Sequence, residues 1–323
     1  MSAVVAALGD SAELRACLAE VGAQSAVLSG EVVLVLNVPR EHVSGEALEH
    51  LAMFCDVIDF EPRPGKSNAL NRGISIARAE VVAFTDDDTR PQEGWLDALT
   101  GPLLGKPPVG GLVGCGGRVV PEFPPETPAW YRRLACSKPT TLLGPRHDLG
   151  QDPCTYTLEQ RLGQSPIGAN CAYLREVLLK EGFRSDLGPN FATGLRGGED
   201  TELGRRLLLS GASLLYVPEA VVVHPVHPAR VSLSFARKRF LAHGAERVRL
   251  RRAHGLPLPS LRALRARQLG LRWLSALRGL VGAPGHERIV VEQAKLAGMI
   301  AEYEGRAPEV LRAIEDRAAP RAD

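Results

Sequence analysis

Cysteine is sparse and unorganised in this chain. Its six thiols, Cys17, Cys55, Cys115, Cys136, Cys154 and Cys171, form no Cys-x-x-Cys pair and have no histidine pair close by. That pattern argues against a zinc site or a disulfide scaffold and predicts reduced, mostly core-filling thiols of a cytoplasmic protein. Long hydrophobic runs are missing too: nothing approaches the ~20 apolar residues that cross a bilayer. A basic leader is lacking, because Met1 passes within three residues into an apolar strand pattern, so no secretory signal is expected. The basic residues come without a recognised nucleic-acid module or an aromatic platform, which makes nucleic acid a weak candidate partner.

What is present suffices for one large α/β domain with an appended segment: 323 residues, 45% of them hydrophobic. The formal net charge of +2 hides a segregation. Between Arg230 and Leu280 thirteen Arg or Lys face Glu246 alone, so the rest of the chain is acidic. Ala3–Leu8 reads as a buried strand, and Asp10 or Ser11 caps a helix with Leu14, Cys17, Leu18 and Val21 at i, i+3, i+4 and i+7. Glu31–Leu36 is a second strand, nearly all Val and Leu, as in a parallel sheet covered on both faces. A helix around Glu46–Phe54 and a short strand Val57–Phe60 follow. This β-α-β-α-β order predicts right-handed crossovers and a doubly wound sheet.

The most informative stretch is Val81–Pro91. An apolar run of strand length ends in Asp86, Asp87 and Asp88, after which Pro91 forbids further regular pairing. Adjacent carboxylates repel one another, and a divalent cation relieves the repulsion; Mg²⁺ and Mn²⁺ commonly take one or two carboxylates plus substrate phosphates. Alternation along an extended chain puts Asp86 and Asp88 on one side and Asp87 on the other. In an open α/β sheet, ligands bind at the carboxyl ends of strands. A solvated acidic turn before a helix starting near Glu93 is the plainer alternative.

Upstream, Gly65-Lys66-Ser67 lacks the glycine five residues earlier that a phosphate loop needs, since Phe60 stands there. A glycine leading into a helix, with Arg63 and Lys66 beside it, still suits a pyrophosphate. One helix separates this segment from the Asp run, so both face the same sheet edge. Together they suit a metal–nucleoside diphosphate.

Further motifs extend the pattern. Gly65-Lys66-Ser67-x-Ala69-Leu70-Asn71-x-Gly73, Phe84-x-Asp86-x-Asp88, Pro91 and Trp95-Leu96 are followed by Ile167-Gly168-Ala169-Asn170-Cys171-Ala172 and Gly182-Phe183. Then come Gly198-Glu199-Asp200-Thr201-Glu202-Leu203, Tyr216-Val217-Pro218 and Val221-Val222-Val223-His224. In this order and spacing the chain resembles the family 2 glycosyltransferases of the GT-A fold, over about residues 3–228. The resemblance implies an α/β, doubly wound, Rossmann-like mixed sheet and an inverting sugar transfer that depends on Mn²⁺ or Mg²⁺. The donor is then a nucleotide-sugar, UDP-linked by default, and the acceptor a small-molecule or lipid-linked nucleophile.

Residue by residue, the resemblance implies Asp88, Asp86 and His224 as metal ligands, with His227 a nearby competitor for the last place. It puts Ala7, Asn37, Arg63, Gly65, Lys66, Asn71, Asp86 and Asp87 on the donor side, and Gly168, Ala169 and Asn170 on the acceptor side. Glu199 and Asp200 open a helix, where the dipole favours carboxylates by about 0.3–1 kcal/mol. A carboxylate there can also take the proton of an attacking hydroxyl; the resemblance gives that role to Asp200, with Glu199 the lesser candidate. It divides the chain into a nucleotide-sugar half, 1–118, an acceptor half, 119–228, and a basic helical extension, 229–323. The sequence departs from the family at Leu36, which stands where a base-reading Asp is usual and leaves Asp10, Asn37 or backbone groups to substitute. The usual Pro-Thr-Tyr-Asn turn after the first strand is replaced by Ala7-Leu8-Gly9-Asp10.

Between Val109 and Arg118 glycines predict a strand pair. Pro121–Ser165, rich in Pro and carrying Trp130, Tyr131 and Tyr156, reads as an irregular acceptor-facing insertion. Beyond it, Ser234–His254 reads as a basic helix, and Leu261, Leu264, Leu271, Leu274 and Leu277 recur among arginines. Over 230–282 such helices suit an anionic membrane surface, at its inner face, or pack on the domain with a solvated basic side. Pro284-Gly285 ends the pattern, and a last helix with Leu296, Ile300 and Tyr303 on one face packs back or pairs with a second copy. Ala318–Asp323 are expected to fray. Two other classes compete: a nucleotidyltransferase on a similar sheet, and a non-catalytic membrane or nucleic-acid binder acting through 230–282.

Overall fold

The apolar runs become strands and the periodic segments become helices: β1 (Ser2–Ala7), α1 (Ala12–Val27), β2 (Glu31–Leu36), α2 (Gly45–Leu51), β3 (Val57–Phe60), α3 (Lys66–Ile76) and β4 (Val81–Asp86). This is a computed structural model, and it describes residues 1–105, 111–138, 140–141, 143–159, 165–190, 194, 197–280 and 285–316. The expected fraying of Ala318–Asp323, the break at Pro284 and the start of the strand pair at Val109 lie outside the described residues. The chain continues through β5 (Arg90–Pro91), α4 (Trp95–Leu104), β6 (Leu112–Glu122), α5 (Ala129–Ala135), β7 (Thr140–Thr141), β8 (Arg146–His147), β9 (Cys154–Thr155) and β10 (Asn170–Leu174). It ends with α6 (Arg175–Glu181), α7 (Glu199–Leu209), β11 (Ser213–Pro225), α8 (Leu233–Ala253), α9 (Leu261–Leu280), α10 (His286–Tyr303) and α11 (Ala307–Asp316). Two compact units result: 1–122, 138–188 and 199–225 form the first, and 123–137, 189–198 and 226–323 the second.

The first unit is built on a sheet of order β3-β2-β1-β4-β10-β6-β11-β5. Strands β3, β2, β1 and β4 run parallel, while β10 lies antiparallel between β4 and β6. Successive strands leave β1 first on one side and then, at β4, on the other, so the switch point of the sheet falls where β1 and β4 end. Ala6 there pairs with Asp86, and Ala7 with Leu36. Side chains alternate between two cores. Ala3, Val5, Leu34, Val81 and Ala83 pack with α1 and α4, whereas Val4, Val33, Val82 and Phe84 pack with α3 and α7. Ser11 caps α1 by accepting from the Leu14 N–H at 3.0 Å. All six cysteines are free thiols. Among the described residues no helix is long and apolar enough to cross a membrane.

Three expectations are corrected. The glycine-rich stretch after Val109 gives one strand, β6, rather than two. Gly114, Gly116 and Gly117 are not turn residues; a β-carbon on each would collide with Tyr173, Tyr156 and Asn170 respectively. The stretch 121–165 is not wholly irregular either. It contributes α5 to the second unit and β8 and β9 to the sheet, burying Tyr131, His147 and Tyr156. Pro91 does not end pairing, since β5 lies at the sheet edge, where a residue without an N–H is tolerated.

In the second unit α10 packs back along α8 and α9. The α8 contact is unusually intimate: a β-carbon at Gly244 would strike the Lys295 carbonyl, and one at Gly298 the Leu241 carbonyl. Acids match much of the basic charge here. Arg239 meets Glu246 at 3.2 Å, Arg249 meets Glu302 at 3.0 Å and Arg265 meets Glu304 at 2.7 Å. Replacing Gly298 by Ala is expected to cost about 1–3 kcal/mol despite the better helix propensity of Ala, because the main chains must separate. Gly270→Ala on α9, where a β-carbon meets nothing within 4 Å, is the control and should be neutral or stabilising in the same urea titration.

Candidate active site

The Asp run forms a turn at the switch point. Strand β4 ends at Asp86, and the next three residues reverse the chain into β5. Thr89 closes the turn: its hydroxyl donates to the Asp86 carbonyl at 2.7 Å, and it lies 2.7 Å from the Thr85 hydroxyl, which donates to the Ala169 carbonyl. The Cys17 thiol on α1 donates to the same Asp86 carbonyl at 3.3 Å. Strand alternation therefore stops one residue short of Asp87. Asp87 is half-buried, and burial, then Asp88 and Asp86, raise its carboxyl to about 7.

Pairing of β5 with β11 decides what Asp88 meets. Arg90 stands opposite Val223, which carries the neighbouring His224 to the turn. His224 Nε2 lies 3.4 Å from Asp88 Oδ1. Ligand atoms of Asp86, Asp88 and His224 all fall within 4.8 Å of one another. The chemistry of this donor set fits a divalent cation: two carboxylates and an imidazole suit Mn²⁺, and the carboxylates suit Mg²⁺. His224 Nδ1 lies 3.2 Å from the Pro225 carbonyl. A proton on Nδ1 satisfies that carbonyl and leaves the Nε2 lone pair beside Asp88, the arrangement usual for a metal-bound histidine. His227 belongs to the second unit, and its Nδ1 accepts from the Ala229 N–H at 3.1 Å.

The helix start at Gly65 is fixed by an amide. Asn37 Oδ1 accepts from the Gly65 N–H at 3.0 Å, and its Nδ2 donates to the Glu61 and Arg63 carbonyls at 2.8 Å each. Gly65 takes φ +120°, which a side chain would resist. Arg63 is exposed and paired with Glu61 at 2.7 Å. Lys66 points the other way, into an ion pair with Asp86. Burial opposes its charge, but Asp86, Glu199 and Asp200 together outweigh burial and hold the ammonium protonated well above its usual range.

Helix α7 presents the other carboxylates. Asp200 Oδ2 accepts from the Gly168 N–H at 3.0 Å and Oδ1 from the Thr201 N–H at 2.6 Å. Glu199 is buried, and its Oε2 has no hydrogen-bond partner. Burial, then the charge of Asp200, raise its carboxyl to about 8 despite Lys66. Gly168 sits over this group: a β-carbon there would lie 3.5 Å from Lys66 Nζ and 3.8 Å from Glu199 Oε1.

Lys66, Asp86, Gly168, Glu199 and Asp200 thus form one cluster, joined through Asp86 to Asp88 and His224. Other expected site residues lie elsewhere. Asn170 does not face an acceptor: it is fully buried, taking a hydrogen bond from Trp95 at 2.8 Å and donating to the Arg118 and Ala220 carbonyls. Ala169 is buried beside it. Asn71 is spent on the Phe183 backbone, donating to its carbonyl and accepting from its N–H at 2.8 Å each. Ala7 ends β1 and accepts from the Asn37 N–H through its carbonyl at 2.7 Å. Leu36 is core, and Asp10 pairs with Arg15 at 2.7 Å. Trp130 lies on α5 in the second unit, edge-on to Tyr131.

Sequence reasoning missed Thr89, Ser67 and Gly188. Ser67 donates to the Leu187 carbonyl at 2.9 Å. Gly188, at φ +89°, leaves room for Ser67 and the Glu199 carboxyl. Only Thr89 carried a local signal, as a hydroxyl three residues after an Asp in a turn.

Sheet order, metal-capable strand end and carboxylates at a helix start define an α/β protein whose candidate site lies at the switch point, outside the carboxyl ends of β1 and β4. The chain belongs to the glycosyltransferase-like family 2, whose model matches residues 1–243. A pre-mycofactocin glycosyltransferase of Mycobacterium tuberculosis is 29% identical over 209 residues, which is 64% of this chain and 40% of that protein. The chain thus spans less than half the length of that relative. The succinoglycan biosynthesis protein ExoM of Rhizobium meliloti is 27% identical over 243 residues, covering 74% of this chain and 71% of its own. Among solved structures, a mannosyltransferase of Pyrobaculum calidifontis in complex with GDP-Man and Mn²⁺ is 17% identical at a TM-score of 0.47, covering 100% of this chain and 88% of that one.

The raised Glu199 carboxyl has a thermodynamic consequence. Below pH 4.5 folded and unfolded chains both hold its proton; between 4.5 and about 8 only the folded chain does. Stability contributed by this residue therefore falls as pH rises through that window, by at most ~1.4 kcal/mol per unit. Melting the parent chain and Glu199→Gln from pH 5 to 8 should show Gln gaining relative to Glu as pH rises. The opposite trend would mean that Glu199 is ionised when folded.

Proposed function

We propose that the chain is a metal-dependent, inverting glycosyltransferase using a nucleotide-sugar donor. The observation that carries this is the union, in one electrostatic cluster, of the Asp86–Asp88–His224 donor set with the α7 carboxylates through Lys66. Asp86, Asp88 and His224 would hold a Mn²⁺ or Mg²⁺ ion, which when bound neutralises the charge of the departing diphosphate. Lys66 and Arg63 serve the diphosphate oxygens, Lys66 exchanging its Asp86 contact for them. The Gly65 N–H is already taken by Asn37 Oδ1, which fixes the loop leading into α3 beside Lys66.

The acceptor hydroxyl loses its proton to Asp200 as its oxygen bonds to the anomeric carbon. The bond from that carbon to the diphosphate breaks, and the electron pair leaves with the diphosphate. A single displacement of this kind inverts the carbon. Asp200 rather than Glu199 is assigned as the base, because Glu199 is buried, which favours its neutral form, whereas Asp200 is half-buried at the start of α7. Gly168 N–H holds Asp200 Oδ2 in place.

Asp200→Asn should lower turnover by about 10²–10⁴-fold with donor KM little changed. Asp88→Ala should remove the stabilisation that Mn²⁺ with a nucleoside diphosphate gives in a thermal-shift assay, because a ligand held only by the folded state must raise its stability. Analysing the products separates the competing chemistry: nucleoside diphosphate supports sugar transfer, and inorganic pyrophosphate marks a nucleotidyltransferase. Full metal-dependent activity in Asp88→Ala, or native turnover in Asp200→Asn, removes the role given to that residue.

A further inference from the structure

One side of α9 is left uncovered in the second unit. Its inner side buries Leu264 and part-buries Leu261 and Leu271 against Val248, Leu296 and Met299. Gln293 Nε2 fastens it by donating to the Leu271 carbonyl at 2.7 Å. On the outer side Leu269, Trp273, Leu274 and Leu277 are 56%, 68%, 41% and 61% exposed. Leu269, Trp273 and Leu277 are spaced i, i+4, i+8 and so form one apolar stripe. Arginines border it. At 3.6 residues per turn Arg265 and Arg272 fall along one margin and Arg267 along the other, with Arg262 near the amino end; all four are exposed, Arg265 meeting Glu304 at 2.7 Å and Arg267 meeting Glu292 at 3.7 Å, so Arg262 and Arg272 contribute most of the net charge.

The charge pattern selects the occupant. Helix α9 contains no Asp or Glu at all. A second copy seated by two-fold symmetry would bring arginine rows together with no carboxylate on either helix to separate them. Nucleic acid would match the arginines but leave the central leucines and the indole against a sugar-phosphate chain. A lipid surface answers both parts: leucines enter the boundary between head groups and acyl chains, the indole sits at that level, and guanidinium groups reach lipid phosphates. No described helix crosses a membrane, so the contact is in the plane of the surface.

We propose that α9 docks in-plane on an anionic lipid surface through the Leu269–Trp273–Leu277 stripe and its flanking arginines. The inference does not rest on the glycosyl-transfer reading, because every residue in it lies in the second unit and none belongs to the proposed site. Full-length chain is sedimented with vesicles of phosphatidylcholine alone or mixed with phosphatidylglycerol. Binding is expected to the mixed vesicles only and to weaken with added salt. Trp273→Glu combined with Leu277→Glu should reduce the bound fraction at least about tenfold, since both the apolar area and the charge match are lost. Arg262→Ala with Arg272→Ala, which leaves the stripe intact, should weaken binding and flatten its salt dependence.

Circular dichroism guards against unfolding, and hydrolysis of donor in solution should stay at the parent level. The proposal is overturned if the parent ignores anionic vesicles or if the glutamate variant binds them equally well. It also falls if the same two substitutions instead disperse a dimer or abolish binding to DNA or RNA.

Discussion

The charge balance around the Lys66 ammonium governs the first unit. Asp86, Glu199 and Asp200 all act on it and raise its affinity for a proton against the effect of burial. Removing Lys66 would take a positive charge away from three carboxylates at once, a loss that grows with their burial. Without Lys66 the carboxylates from β4 and α7 could not share one small volume in their charged forms. Glu199 shows how near the balance is to its limit, since even with Lys66 present its carboxyl retains a proton to about pH 8. The fold thus brings acids together beyond what one lysine neutralises, and the surplus is what a divalent cation would relieve at Asp86, Asp88 and His224.

Keeping those groups in register falls to side-chain amides and hydroxyls bonded to backbone. Asn37 shapes the loop into α3, Asn71 ties α3 to Phe183, and Ser67 ties it to Leu187. Asn170 links β10 to the carbonyls of Arg118 and Ala220 and to the Trp95 indole. Thr89 locks the Asp turn. Each of these residues removes a loop or strand end from free movement while leaving the carboxylates unobstructed. Residues that a motif comparison puts in contact with substrate are here frequently the frame that holds the residues in contact.

That distinction explains how far the sequence could be read. The parallel half of the sheet was legible because Val and Leu runs such as Glu31–Leu36 admit one interpretation, a strand covered on both faces. Asp86 and Asp88 were legible as a charge anomaly at a strand end. What escaped depends on distant partners. Asn170 reads as polar and available until the Trp95 indole is brought against it, and Gly114, Gly116 and Gly117 read as turns until Tyr173 and Tyr156 need their space. Sequence spacing carries local periodicity well; it carries nothing about which strand from far along the chain arrives to occupy the neighbouring volume.

The same limit applies to charge. The arginine excess after Arg230 is real in composition, yet its meaning depends on which acids fold back on it. Glu302 meets both Arg249 and Arg252, and Glu246 meets Arg239, so α8 is partly neutralised from within its own unit. Helix α9 differs. Acids from other elements meet its Arg265 and Arg267, and its leucines divide between an inner side that packs and an outer side that is exposed. A helix stabilised solely by its inner contacts would gain nothing from Leu269, Trp273 and Leu277 in water; polar residues there would fold as well and dissolve better. Exposed apolar residues bordered by arginines therefore carry information about surroundings rather than about folding, and Leu269, Trp273, Leu274 and Leu277 gather four of them on one helix.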